Sequence, residues 1–221
     1  MSSESEGPMN PDGKPGEGAF EDTSREGRRR SEHVDRFGRP RMTDVTDAPV
    51  VARRAAAEAE VAVSHETLSA IVDGTNPKGD VLSVAELAGV MAGKRTSDLI
   101  PLCHPVALTD LLVRAVPDRA AGVVRIRVDT ATIGPAGVEM EALTAAAVAA
   151  LTVYDMVRDI DPSAAIRGIK VVSRSGGEAD YWQRPPEANA GPYPRAPRGA
   201  RVAGRISNPS RGGGRVPPRK Y

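Results

Sequence analysis

The residues best suited to chemistry lie in three places. On a long apolar stretch, Glu141 and Asp155 stand fourteen residues apart, which at about 100° per residue puts them within about 40° of one helical face. Thr144, Val148 and Leu151 lie between them, and Arg158 extends the stripe by a turn. Ionisable groups bounding an alanine-rich helix are costly unless paired. Two readings stand side by side: a structural Asp155–Arg158 ion pair at i, i+3, or a site whose carboxylates are tuned by burial. The second place is Pro101-Leu102-Cys103-His104-Pro105, where a proline on either side fixes φ and pre-organises the segment. Adjacent cysteine and histidine do not face each other, so a nucleophilic pair is not expected. Cys103 reads as a small buried residue, and His104 as a proton donor or a partner for a phosphate oxygen. The third is 76–80, where Lys78 precedes a helix and could meet an anion at its N-terminus. Lys94-Arg95 closes the same helix and suits the negative end of its dipole. Cysteine, histidine and carboxylates are present, but not at zinc-ligand spacing such as CxxC or HxxxH, so no metal site is expected.

The elements that must position these groups follow from periodicity. Alternation over 53–64 predicts a strand. Ser64 caps a short helix over 65–74 ending at Gly74, and Asp80 caps a second over 81–95. The stretches 106–116 and 123–133, rich in valine and isoleucine and separated by a Pro/Gly turn, predict a hairpin. A long helix over 140–160 follows, apolar nearly all round and therefore expected to be buried, and a last strand covers 166–173. This order is that of an α+β, ferredoxin-like split βαβ domain with an extra helix and an antiparallel sheet. Helices should cover one face; the other face and the long helix call for a partner, which implies a homo-oligomer.

Composition bounds the rest. Of 22 glycines and 19 prolines, 12 of each fall in 1–40 and 183–221, so these read as disordered arms around one domain of about 142 residues, 41–182. The net charge of +1 hides an acidic core, with 14 basic and 19 acidic residues, and a C-terminal arm with 9 basic and 1 acidic. Such an arm can bind polyanions weakly through phosphate neutralisation, though it reads first as a solvated extension. Seven aromatic residues, four of them in the arms, leave too few for a base-stacking platform. The single cysteine excludes an internal disulfide and fits a reducing compartment. The polar N-terminus and an uncharged apolar run limited to 142–153 predict no membrane span and a cytoplasmic location.

Longer motifs go further. Lys78-Gly79-Asp80-Val81, Lys94-Arg95-Thr96, Asp98-Leu99-Ile100-Pro101-Leu102-Cys103-His104-Pro105, Gly137-Val138-Glu139-Met140-Glu141-Ala142-Leu143-Thr144-Ala145 and Ala149-Ala150-Leu151-Thr152-Val153-Tyr154-Asp155-Met156 resemble, in order, the cyclic pyranopterin monophosphate synthases. These lyases perform the second step of molybdenum cofactor biosynthesis. The resemblance covers 41–177 and neither arm. It implies conversion of a 3′,8-cyclised dihydroguanosine triphosphate to cyclic pyranopterin monophosphate with release of diphosphate. It also implies a homohexamer, a trimer of dimers, with sites at dimer interfaces. The sequence requires no cofactor; a divalent metal could accompany the triphosphate but is not indicated. Carried over by position, Asp155 matches the catalytic aspartate and Lys78 an essential lysine. Leu102, Cys103 and His104 match one substrate-binding segment and Met140 and Glu141 another. Asp44, Arg53, Lys94 and Glu139 match polar residues near the site.

Three departures from the family pattern fall on cations. Arg158 stands where the family has a second essential lysine; it keeps the charge for phosphate but does not readily give up a proton. Gly134-Pro135-Ala136-Gly137 replaces Gly-Lys-Thr-Gly, and Arg174-Ser175-Gly176-Gly177-Glu178 replaces Lys-Ser-Gly-Gly-Lys. Arg174 is thus a further candidate phosphate ligand. Two functions are consistent with this pattern: an active synthase with Lys78, Asp155 and Arg158 at its catalytic centre, or a relative that binds the nucleotide or pterin, or serves assembly, without turnover.

Overall fold

Alternation makes β1 (Val51–Ala62) a central strand, with Ala55, Ala57, Ala59 and Val61 entering the core. The computed structural model of the chain describes residues 33–177 and 181–185. After β1, Ser64 caps α1 (His65–Val72) by accepting from the Thr67 amide at 3.1 Å, and Asp80 caps α2 (Val81–Gly93) by accepting from Ser83 N at 3.0 Å. Both are the caps expected from sequence. A short α3 (Thr96–Leu99) follows, then the hairpin of β2 (Leu108–Asp118) and β3 (Val123–Gly134). Its turn is held by Asp118 Oδ1, which accepts from Ala120 N and Ala121 N, and by Gly122 at φ +65°. The long helix is α4 (Glu139–Val157), and β4 (Ala165–Ser175) and β5 (Tyr181–Gln183) complete the chain.

The sheet order is β2-β3-β1-β4-β5 with antiparallel neighbours throughout. Since β1 and β2 both pair antiparallel with β3, they run in the same direction on either side of it. This is the split βαβ arrangement of a ferredoxin-like α+β domain, with α1, α2 and α3 in the first crossover. Two elements were not expected. The sequence predicts a helix running to 95, but α2 ends at Gly93, and α3 starts where the Thr96 hydroxyl donates to Gly93 O at 3.0 Å. β5 has too few residues for a periodic signal and exists through pairing of Tyr181, Trp182 and Gln183 with β4. The backbone of Arg184 also donates to Val172 O at 2.8 Å, so pairing runs past the expected arm boundary at 182. At the other end, residues 34–40 close a turn by a Val34–Pro40 bridge, seven residues inside the segment read as an arm. The remaining arm residues, including most of the basic C-terminal segment, lie outside the described residues.

Small side chains let the layers approach closely. Ala142, Ala145, Ala146, Ala149 and Ala150 of α4 are fully buried, and Ala57 of β1 is equally closed off. The face α2 turns to α4 carries Gly89, where an added Cβ would lie 3.0 Å from Ala145 O and 3.0 Å from Val113 Cγ1. Helix α4 is long and apolar enough to cross a membrane by length and composition alone, yet more than half of it is buried inside the domain. Within one chain α4 is not enclosed all round: Leu151 is 56% exposed, and Tyr154 and Asp155 also face outward, on the side for which the sequence calls for a partner. The far face of the sheet is charged. Arg127 bridges Glu58 (2.7 Å) and Asp129 (3.1 Å), and the nearly buried Arg125 joins Asp118 (2.9 Å) and Glu60. Long side chains laid across β1, β2 and β3 thus satisfy one another's charge.

Candidate active site

Helix α4 organises the candidate residues, one group at each end. At its C-terminal end, the turn over 76–79 brings up Lys78, with Gly79 at φ +91° and its amide donating to Asn76 O at 2.9 Å. Lys78 Nζ donates to the main-chain oxygen of Asp155 at 2.6 Å and pairs with Asp159 Oδ2 at 2.9 Å. Arg158 Nε lies 3.2 Å from Asp155 Oδ1 and 3.9 Å from Asp159 Oδ1. Two cations and two carboxylates therefore interlock within one helical turn. The Lys78 hydrogen bond, reinforced by its charge, holds the Asp159 carboxyl below its usual range. The i, i+3 pair read from sequence is present. Within one chain the Asp155 side chain is 62% exposed, so burial by this chain does not tune its carboxylate. Lys78 stands two residues before the Asp80 cap of α2, but its ammonium turns away from the α2 amides to the C-terminal end of α4.

At the other end, Glu139, Met140 and Glu141 form the first turn of α4. Glu141 is buried and raised in pKa: burial favours the neutral acid, the hydrogen bonds from its own amide and from Cys103 oppose this, and the Glu139 charge adds to it. Its Oε1 receives the Cys103 thiol at 3.7 Å, while Oε2 is buried without a hydrogen-bond partner. Burial, then the Glu141 charge and their shared hydrogen bond, push the Cys103 thiol up to about 11. Cys103 is therefore a protonated donor at neutral pH, not a nucleophile. His104 Nε2 lies 2.8 Å from Thr43 O; a ring nitrogen meeting a carbonyl must carry the proton, which leaves Nδ1 free for another partner. Thr43 is a contact the sequence did not signal, since only its backbone is used. Its neighbour Asp44 turns back on Thr46, accepting from its amide at 3.0 Å and hydroxyl at 2.7 Å; these bonds hold the carboxyl below its usual range.

Two arginines flank this end. Arg174 Nη1 lies 3.5 Å from Glu139 Oε1, and Arg53 Nε donates to Gly134 O at 3.0 Å. The Gly176-Gly177 turn, where both residues have positive φ, lies so close to β1 that a Cβ at Gly176 would meet the Ala52 carbonyl oxygen and one at Gly177 the Arg53 guanidinium. Lys94 is the C-cap of α2, exposed, beside Gly93 where α2 meets the backbone of Glu141. Leu102 is partly exposed on the loop before His104. The fold thus assembles Arg53, Lys94, Leu102, Cys103, His104, Glu139, Met140, Glu141 and Arg174 around one end of α4, with the Asp44 segment touching it. Lys78, Asp155 and Arg158 gather at the other. Fourteen residues of helix separate Glu141 from Asp155, about 21 Å along the axis. A shared helical face is not a shared site. Asp159, which pairs with Lys78, was missed; an acidic residue after an arginine at a helix end carries no distinguishing signal. Among the described residues, no three His, Cys, Asp or Glu side chains group as metal ligands.

With cationic and titratable groups gathered at both ends of one core helix, the chain falls in the class of ferredoxin-like α+β domains. Residues 42–177 match the MoaC family, and the chain belongs to it. It is similar to a cyclic pyranopterin monophosphate synthase of Chloroflexus aurantiacus, 48% identical over 153 residues, spanning 69% of this chain and 94% of the relative. The synthase of that name from Chloroflexus aggregans is 47% identical over 152 residues, covering 69% and 92%. That of a Methylobacterium species is 48% identical over 154 residues, covering 70% and 96%.

Proposed function

We propose that this protein is a cyclic pyranopterin monophosphate synthase, a lyase of molybdenum cofactor biosynthesis. It converts (8S)-3′,8-cyclo-7,8-dihydroguanosine 5′-triphosphate to cyclic pyranopterin monophosphate and diphosphate. The observation that carries the reading is the convergence of Lys78, Asp155 and Arg158, drawn together from segments 77 residues apart. Triphosphate cleavage needs cations for the departing diphosphate, and rebuilding the ring needs groups that give and take protons. Arg158, Arg53, Arg174 and Lys94 serve the first need. Asp155, Lys78, His104 and Glu141, the last with its pKa raised by burial, serve the second.

The 21 Å between the two groups calls for a second copy of the chain, whose opposite end of α4 would complete each site. Exposed apolar residues on α2 and α4, namely Val84, Leu87, Met91 and Leu151, supply a surface for such packing. This surface supports self-association; the homohexamer, a trimer of dimers, and the cytoplasmic location are proposed from the family resemblance. The reading requires no resident cofactor; a divalent metal enters, if at all, with the triphosphate. Weak polyanion binding by the basic C-terminal arm would be an addition to this activity.

A second reading rests on one contact, the Arg158–Asp155 pair, in which a permanently charged partner occupies the catalytic carboxylate. In that case the protein binds its nucleotide or pterin, or serves assembly, without turnover. Single-turnover conversion decides between them. The wild-type chain should form product and diphosphate, Asp155→Ala should lose activity by at least about a hundredfold, and Arg158→Lys should remain active. Tight binding without product, with turnover appearing only in Arg158→Lys, would overturn the synthase reading.

A further inference from the structure

The carboxylate partners at the C-terminal end of α4 are divided in an unexpected way. Asp155 offers Lys78 only its main-chain oxygen, at 2.6 Å, because its carboxylate faces Arg158 Nε at 3.2 Å. The carboxylate that meets the Lys78 ammonium is that of Asp159, at 2.9 Å. Asp159 follows the Arg158 C-cap, in the turn beyond α4, so Lys78 is held from both sides, by a carbonyl at the negative end of the helix dipole and by a carboxylate. Two of the three ammonium hydrogens are then committed, which fixes a long flexible side chain rising from an exposed turn and leaves one donor for a ligand. Of the two cations here, lysine is the one able to pass a proton, so its placement matters more than that of Arg158.

From this geometry we infer that Asp159 is a positioning residue for Lys78, acting on the reaction without touching substrate. The inference rests on the synthase reading above for its kinetic consequence, though not for the contact itself. A positioning role lowers the rate of the bound complex and leaves binding nearly intact, because phosphate affinity is shared among several cations while proton transfer depends on one well-placed group. A carboxylate that merely blocked the cations would do the opposite, and its removal would tighten binding.

The test compares Asp159→Asn and Asp159→Glu with the wild-type full-length protein. Asp159 is 65% exposed, so unfolding midpoints should agree among the three. Expected is a kcat reduced about tenfold in Asp159→Asn with KM changed less than twofold, and recovery of most of that loss in Asp159→Glu. Unchanged kcat, or a fall in KM alone, would overturn the inference. A second measurement needs no turnover: acylation of Lys78 by acetic anhydride at pH 8, read by mass spectrometry. Freed of its partner, the amine should react about fivefold faster in Asp159→Asn, a ratio that corresponds to an exposed ion pair, and at the wild-type rate in Asp159→Glu. Equal labelling in all three would show that Asp159 does not hold Lys78. Failure of the wild-type chain to turn over while labelling differs would instead sink the synthase reading.

Discussion

Replacing Asp161 by asparagine should cost stability in a way that disappears in acid. The Asp161 side chain follows the last turn of α4 and is buried, accepting from Ser64 N at 2.6 Å, Ser163 N at 3.1 Å and Ser163 Oγ at 2.6 Å. It ties the end of α4 to the cap of α1, 97 residues away in sequence. Burial pushes its pKa up, but the hydrogen bonds from Ser163 and Ser64 together prevail and leave it below the usual carboxylate value. Asparagine keeps one acceptor, turns the other atom into a donor facing existing donors, and removes the charge. With about 1.5–3 kcal/mol for a hydrogen bond to a charged acceptor, and less than additive loss, the expected cost is about 2.5 kcal/mol near neutral pH. For a chain of this length that lowers Tm by about 5–10 °C. The sign in pH follows from linkage. A pKa depressed by folding contributes stability that is complete above the unfolded value, about 3.9, and is lost as pH falls through that value and then through the folded one. Thermal unfolding followed by circular dichroism at fixed protein concentration, at pH 7 and again near pH 3, measures both. A gap of the expected size at neutral pH that narrows in acid supports the reasoning; an equal gap at both pH values, or none, refutes it.

Gly89→Val should destabilise the domain by about 1–3 kcal/mol through overpacking, because the new side chain meets the Ala145 carbonyl and Val113. Gly89→Ala should cost less, since about 1 kcal/mol of helix propensity is regained; urea unfolding of the two variants checks the order. Cys103 should alkylate slowly with iodoacetamide at pH 8, its thiol being pushed up to about 11. Glu141→Gln removes the charge that helps raise that value, so labelling should accelerate several-fold; an unchanged rate would mean that the Cys103–Glu141 contact is not made in solution.

Local chemistry was legible where a few neighbouring residues decide the outcome. Ser64 and Asp80 cap their helices because a side-chain oxygen two or three positions from an open amide needs no help from the rest of the chain. The order of strands and helices followed from period alone, and the α+β class with it. What failed did so for non-local reasons. β5 forms only because β4 offers an open edge, and Lys78 leaves the helix it precedes because the end of α4 lies within reach. The inference that Glu141 and Asp155 share a site was sound in angle and incomplete in distance, since periodicity reports rotation about a helix axis and is silent about translation along it.

The sequence by itself determined which residues could carry charge and protons, the caps and turns that start and stop each element, and, through long motifs, the family. The tertiary structure alone decided that these residues fall into two groups at opposite ends of α4. It also decided that Glu141 is buried against Cys103 while Asp155 is exposed, and that Lys78 answers to Asp159. The physical reason is that pairing and burial depend on distance between elements remote in the chain. That distance is set by how closely the alanines of α4 and the glycines of α2 let the layers approach.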